Sequence, residues 1–279
     1  LWGMGIGVPG PVEFRTGHPI SPPIMPGWEG YPVRERFSDG RRVPVWVDND
    51  VNIMALSERR AGLAEGHDDF MFVKVGTGIG CGLVSNGRIH RGALGRAGDI
   101  GHVQVAAGGR QICRCGKVDC LEAHAGGGAL AREGTRLAQS GESERLATIL
   151  ADHGSITARE VIRAARAGDP ASVRLLDQSA RLLGQTLAGM ANFFNPSLIV
   201  VGGGVARAGD AYLAKIRQVI YARSTALATR ELLVQLSRLG NRAGVIGGAS
   251  MVLDELFNAR QLARWIDDGR PAALLEAAA

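Results

Sequence analysis

Three cysteines fall within eight positions, in Cys113-Arg114-Cys115-Gly116-Lys117-Val118-Asp119-Cys120. Cys-x-Cys with a third Cys five residues on makes a compact thiolate loop. Zinc favours four tetrahedral ligands, usually thiolate and imidazole, so a fourth ligand must come from outside the loop. His102, closing Asp99-Ile100-Gly101-His102, is the nearest upstream histidine, and His124 is close on the other side. A fully protein-ligated site of this kind is structural, with no open position for a catalytic water. Without metal the same residues would form a loop of free thiols.

A second constellation is Asp48-Asn49-Asp50-Val51-Asn52, where an apolar run hands over to a helical pattern. A carboxylate there can take the proton of a hydroxyl, and the neighbouring amide can hold a second hydroxyl. That is the chemistry of deprotonating a sugar before it attacks phosphorus. The bland alternative is an N-cap, since Asp and Asn also satisfy the free N–H groups that open a helix.

Two glycine-rich turns complete the set. Gly76-Thr77-Gly78-Ile79-Gly80 follows an apolar run, and its N–H groups and the Thr77 hydroxyl suit a phosphate. It matches neither common phosphate-loop signature and reads equally as a hairpin requiring positive φ. Gly202-Gly203-Gly204 would let an adenine or another backbone approach closely.

The elements that must position these groups follow from periodicity and punctuation. Strands are predicted at Trp2–Val8, Val43–Val47, Phe70–Val75, near Leu83-Val84, at Leu198–Val201 and over 232–236. Helices are predicted following Asp48-Asn49-Asp50 through Ala61, over Glu122–Ala138, from the Thr157/Glu160 capping box to about Ala167, from Asp169-Pro170 to about Phe194, and over 210–223 and 245–257. Pro19, Pro22, Pro23 and Pro26 predict an irregular stretch. Asn86-Gly87 is a hairpin signal. Strands alternating with helices imply a mostly parallel sheet, with ligands beyond the C-terminal strand ends, where these motifs fall.

Composition excludes several classes. With 46% hydrophobic and 21% charged residues the chain is globular rather than disordered. The net charge of +5 comes from scattered arginines; the only lysines are Lys74, Lys117 and Lys215, and no basic run carries interleaved aromatics. Nucleic-acid binding by this segment is therefore not expected. No apolar stretch is long enough for a bilayer and no signal peptide is evident, so a cytoplasmic protein is expected. The sequence starts abruptly at Leu1, directly before a predicted strand, which suggests residues upstream.

In their order these motifs resemble the ROK family of bacterial sugar kinases and sugar-responsive repressors. The likeness runs from Gly5-Ile6-Gly7-Val8-Pro9-Gly10 to Gly247-Gly248-Ala249 and includes Gly95-Arg96-Ala97-Gly98-Asp99-Ile100-Gly101-His102. It implies an α/β, actin/hexokinase-like (ribonuclease H-like) fold of two lobes with a structural zinc loop. Residues 1–68 would be the remainder of the N-terminal lobe, with a C-terminal helix in 250–279 packing back on it. Residues 69–249 would be the C-terminal lobe, holding the zinc loop 102–122 and the nucleotide turns.

The resemblance also implies roles. Asp50 matches the catalytic base of family kinases, and Asn49, Asp50, Asp99, His102 and Glu122 match residues that hold sugar hydroxyls. Zinc would sit on His102, Cys113, Cys115 and Cys120, with the other nitrogen of His102 presented to the sugar. ATP with magnesium, if used, would meet Thr77, Gly78, Gly202, Gly203 and Gly204.

Two positions depart from the family pattern. Asp99 replaces Glu and is one methylene shorter, about 1.5 Å. Asp119 stands where Gly is usual, a position suited to positive φ. The tail from Leu256-Phe257-Asn258 to Leu262-Ala263-Arg264-Trp265 resembles the C-terminal extension of family regulators. With Asp99, it favours a sugar-sensing effector domain of a transcriptional regulator, bound to DNA through an upstream segment, over the alternative of an ATP-dependent hexose or N-acetylhexosamine kinase. A homodimer is the expected assembly.

Overall fold

The computed structural model describes residues 1–22, 24–38, 43–105 and 110–268. The chain opens with β1 (Met4–Val8), a short hairpin β2 (Val12–Glu13) and β3 (His18–Pro19), and helix α1 (Val33–Ser38). Strand β4 (Val45–Asn49) runs directly into α2 (Asp50–Ala61). Then come β5 (Phe70–Val75), β6 (Ile79–Ser85) and β7 (Arg88–Ile89), a 3-10 turn at Ile100–His102, α3 (Leu121–Ala125) and α4 (Gly127–Gln139). Helices α5 (Glu144–His153), α6 (Ala158–Arg166) and α7 (Pro170–Phe194) lead into β8 (Leu198–Gly202). The chain continues with α8 (Asp210–Arg223), α9 (Ala226–Thr229), β9 (Leu233–Leu236), α10 (Ala243–Leu256) and α11 (Ala259–Asp268).

β5 is the keystone. It pairs antiparallel with β6 and parallel with β8, giving the sheet order β7-β6-β5-β8-β9. Its residues alternate between two buried faces, as strand geometry requires. Phe70 and Phe72 pack with Ala55 of α2 and with Leu198 and Val200. Met71, Val73 and Val75 join the larger core with Leu121, Leu183, Leu187 and Ile216 from α3, α7 and α8. A sheet covered on both faces explains the nearly unbroken apolar runs of β5 and β8. A separate parallel pair, β1 with β4, aligns Gly7 with Asp48 and Val8 with Asn49, placing the end of β1 beside the acidic motif.

The α/β alternation, the capping box at Thr157 and Glu160, the extent of α7 and the hairpin at Asn86-Gly87 follow the sequence reading. Several features differ: α5 was not predicted, and the five-stranded sheet is mixed, with two of its four pairings antiparallel, rather than mostly parallel. The helix predicted over Glu122–Ala138 is broken at Gly126 into α3 and α4, because the N–H groups of Gly127 and Gly128 turn to donate to Gly76 O and Thr77 O. The proline-rich stretch contains the β2–β3 hairpin and then α1, which starts after Pro32, a position where a missing N–H costs nothing. The C-terminal segment read as one helix is two, α10 and α11, with Trp2, Phe257 and Trp265 forming an aromatic cluster beside them. Residues 269–279 of that segment, and 106–109 of the predicted loop 102–122, lie outside the described residues. No helix among the described residues is long and apolar enough to cross a membrane.

Candidate functional site

Asp50 is the first residue of α2 and Asn49 its N-cap, so both readings of the acidic motif apply to neighbouring residues. Asn49 Oδ1 accepts from Val51 N at 3.0 Å, which leaves its amide NH2 for a ligand. Asp48 points the other way and is buried. It accepts from Arg91 Nε at 2.9 Å, Asn52 Nδ2 at 2.8 Å and Asn49 N at 2.7 Å. Arg91 in turn stacks over the Phe14 ring. This fully bonded carboxylate fixes the turn from β4 into α2, and with it the aim of Asp50.

Asp50 opens into a cleft lined also by Asn49, Lys74, Thr77, Gly78, Arg96, Asp99, His102 and Glu122. The structure thus gathers every residue expected to hold a sugar, with two of the expected nucleotide residues, into one concavity. Gly202, Gly203 and Gly204 do not line it. Gly203, at φ +93°, packs against the backbone of Val75, so the triplet supports the strand end that carries the Gly76–Gly78 turn.

That turn joins β5 to β6 as a hairpin, but without positive φ at Gly76, Thr77 or Gly78. A Cβ at position 78 would lie 2.4 Å from Glu122 Oε2, so any side chain there would displace that carboxylate. Glu122 is buried, its Oε2 3.4 Å from Ile79 N and its Oε1 3.4 Å from Cys113 Sγ. One carboxylate therefore joins the phosphate-like turn, the cysteine loop and the cleft. The hydroxyl of Thr77 is exposed at the tip of the turn.

The cysteine loop is a small hairpin closed by the Ile112–Val118 bridge and tied to its surroundings by Gln104–Cys120. Ligand-type atoms of His102, Cys113, Cys115 and Cys120 all lie within 4.8 Å of one another, a spacing that one ion can span. His102 Nδ1 is 3.6 Å from Cys113 Sγ, and Cys115 Sγ is 3.7 Å from Cys120 Sγ; all are free thiols. His124 is not in the cluster. Its Nε2 is 2.8 Å from Asp119 Oδ1. Burial pushes the Cys113 thiol up to about 12, reinforced by the Glu122 carboxylate beside it. Burial likewise raises Cys120. Burial opposes ionisation at Cys115 as well, but hydrogen bonds from the Lys117 backbone and the neighbouring thiols bring it down. Three soft sulfurs and one imidazole, with Cys113 and Cys120 buried and His102 and Cys115 half-buried, suit zinc.

His102 faces two ways. Its Nδ1 looks to the thiols, while its Nε2 is 3.7 Å from Asp99 Oδ1 at the cleft. Asp99 is otherwise loosely held, 3.8 Å from Arg96 Nη2. Sequence reasoning missed Lys74 and Arg96 in the cleft. Lys74 had a signal, as the one charge in the apolar strand Phe70–Val75.

The ROK family model matches residues 1–255. The chain belongs to the ROK family. It is 39% identical over 252 residues to a glucokinase of Halalkalibacterium halodurans, covering 90% of this chain and 76% of that protein. It is 31% identical over 258 residues to a xylose repressor of Caldicellulosiruptor bescii, covering 92% of this chain and 64% of the repressor. The structure superposes on a ROK glucokinase from Streptomyces griseus, crystallised with glucose and AMPPNP, with a TM-score of 0.80 at 32% identity, over 90% of this chain and 81% of that one. Kinases and regulators are thus both relatives, and the fold is that of the family's sugar kinases.

Proposed function

We propose that this chain is the catalytic, sugar-binding part of an ATP-dependent hexose kinase. The observation that carries the reading is Asp50: a carboxylate at a helix start, in one cleft with the Gly76–Gly78 turn and with Asn49, Asp99, His102 and Glu122. A sensor needs the polar groups that hold a polyol, but no base aimed at the phosphate turn. The glucokinase relative, more similar and matched over more of its length than the repressor, supports the same choice. This reverses the preference for a regulator drawn from Asp99 and the tail.

In the proposed reaction, Asn49, Asp99, His102 and Glu122 hold the hexose hydroxyls. Asp50 accepts the proton of the attacking hydroxyl as its oxygen bonds to the γ-phosphorus. The bond to the bridging oxygen breaks, and the pair leaves on ADP. Thr77 and Gly78 face the phosphates, and the Gly202–Gly204 turn supports that strand end from behind. Magnesium would arrive with ATP. Zinc on His102, Cys113, Cys115 and Cys120 would supply rigidity, fixing the ring of His102 and the position of Glu122 beside the sugar.

The second reading, a sugar-sensing regulator of carbohydrate metabolism that reaches DNA through an upstream segment, draws on Asp99. Its carboxylate makes no hydrogen bond shorter than 3.7 Å to His102, a loose arrangement for a group that must align a nucleophile. A coupled ADP-release assay on the full-length protein, with glucose and N-acetylglucosamine at millimolar levels, separates the two. Turnover of about 1 per second or more, within the ordinary enzyme range, supports the kinase. Tight sugar binding without turnover supports the regulator.

A further inference from the structure

Lys74 is the last residue of β5 on the face that α2 covers, following Phe70 and Phe72, which are both fully buried. Its ammonium donates to Asp50 Oδ2. The two side chains are 31% and 25% exposed, so the pair is partly buried in the cleft wall. A helix N-terminus by itself repels a cation, so the start of α2 does not call for a lysine there. Its lateral neighbours in the sheet are Gly80 on β6 and Gly202 on β8. Val51 packs over Gly80 and Phe72 over Gly202, so the Lys74 stem is flanked on both sides and directed along its strand. It runs along the phosphate-like turn: its Cε is 3.4 Å from where a Cβ on Gly76 would stand.

Resting on the kinase reading, we propose that Lys74 is a catalytic residue that contacts the transferred phosphoryl group. In the free protein its ammonium occupies Asp50. A sugar hydroxyl replaces it there, and the ammonium turns toward the Gly76–Gly78 side, where the γ-phosphate must lie. During transfer the hydroxyl proton passes to Asp50, the sugar oxygen bonds to the γ-phosphorus, and the bond to the bridging oxygen breaks with its pair leaving on ADP. Lys74 stays protonated throughout and donates hydrogen bonds to the non-bridging oxygens, where charge builds.

The test uses full-length protein with Lys74→Met and Lys74→Arg, glucose and MgATP, and glucose affinity measured separately by calorimetry. Lys74→Met is expected to lower kcat on the order of a hundredfold, the usual scale for losing one such donor. Its glucose affinity should stay equal or tighten, because Asp50 is freed. Lys74→Arg, which keeps the charge and the fold-compatible stem, should recover part of kcat. A Lys74→Met enzyme with unchanged or higher kcat, or a loss explained by weaker glucose binding, overturns the role. So does a Lys74→Arg variant that melts like wild type but has no more activity than Lys74→Met. If wild type transfers phosphate to no sugar, the kinase reading itself fails and this role with it.

Discussion

His124 Nε2 sits 2.8 Å from Asp119 Oδ1, and the same oxygen accepts from Gln111 N at 2.9 Å. Asp119 holds φ +58°, the left-handed conformation its place in the loop requires. At this left-handed position the chain uses a carboxylate that tolerates the conformation and fastens the cysteine hairpin to α3. The His124 hydrogen bond, followed by that from Gln111, holds the Asp119 carboxyl below the usual carboxylate range. His124 is thereby committed to the clamp and not to the thiols. Asp119→Gly should keep the metal but release it to a chelator faster, on the order of tenfold, the scale seen for groups that orient metal ligands. A colorimetric zinc-release assay reads this, and an unchanged rate would remove the clamp's role.

Zinc content is the next expectation. Purified without chelator, the protein should carry one zinc per chain by elemental analysis. Cys120→Ser should lose it, whereas His124→Ala should retain it, because only His102 faces the thiol cluster. Stripping the metal should lower the melting temperature by several degrees, since ligand binding to the folded state adds directly to its stability. Protein with no metal, or with metal lost in His124→Ala and kept in His102→Ala, would contradict the assignment.

Gly98 and Gly101 let the Asp99–His102 turn lie against β6. A Cβ on Gly98 would fall 1.9 Å from Cys81 O, and one on Gly101 2.1 Å from Ile79 O. The strand backbone cannot yield, and Gly98 also holds φ +89°. Gly98→Ala should destabilise by more than about 2 kcal/mol, in the range of severe single substitutions, and should weaken sugar binding by displacing Asp99 and His102. Urea denaturation and calorimetry test the two effects separately.

This pair illustrates what the sequence made legible. The run Gly95-Arg96-Ala97-Gly98-Asp99-Ile100-Gly101-His102 was recognisable as a pattern, but the close approach that demands its glycines exists only in three dimensions. Phe70–Val75 and Pro170–Phe194 were readable because strong periodicity, or a cap and a stop, acts locally. α5 was missed because it buries little, with only Leu146 fully covered. Lys74 escaped because its partner lies 24 residues away on another element. The break at Gly126 escaped because the acceptors of Gly127 and Gly128 lie about fifty residues upstream.

Asp169 caps α7, accepting from Ser172 N at 2.9 Å ahead of Pro170. Burial works to raise its carboxyl, but the Ser172 hydrogen bonds outweigh it and the net shift is downward. Asp169→Ala should cost about 1 kcal/mol at pH 7. The sign follows from the depressed value. The cap's contribution is fully present above the unfolded Asp value of about 3.9 and is lost as pH falls through the lower folded value. The deficit of the variant should therefore shrink between pH 5 and pH 2. A deficit independent of pH, from urea midpoints across that range, would assign the effect to helix propensity instead.

Asp99 gives the sharpest test of the sugar site. Its carboxylate lines the cleft but stops 3.7 Å from His102 Nε2 and 3.8 Å from Arg96 Nη2, beyond good hydrogen-bond reach. Lengthening the side chain by one methylene moves the carboxylate about 1.5 Å, enough to close either gap or to meet a hexose hydroxyl directly. Asp99→Glu should therefore tighten glucose binding severalfold and raise kcat/KM at least as much, because better alignment of the nucleophile acts on the transition state as well. Asp99→Ala should weaken binding by about tenfold, the cost of one lost hydrogen bond to a charged acceptor. Calorimetry and the ADP-release assay measure both. If Asp99→Glu binds more weakly than wild type, the cleft is already fitted to the shorter carboxylate, and the departure at position 99 marks a different preferred sugar rather than a loosened site.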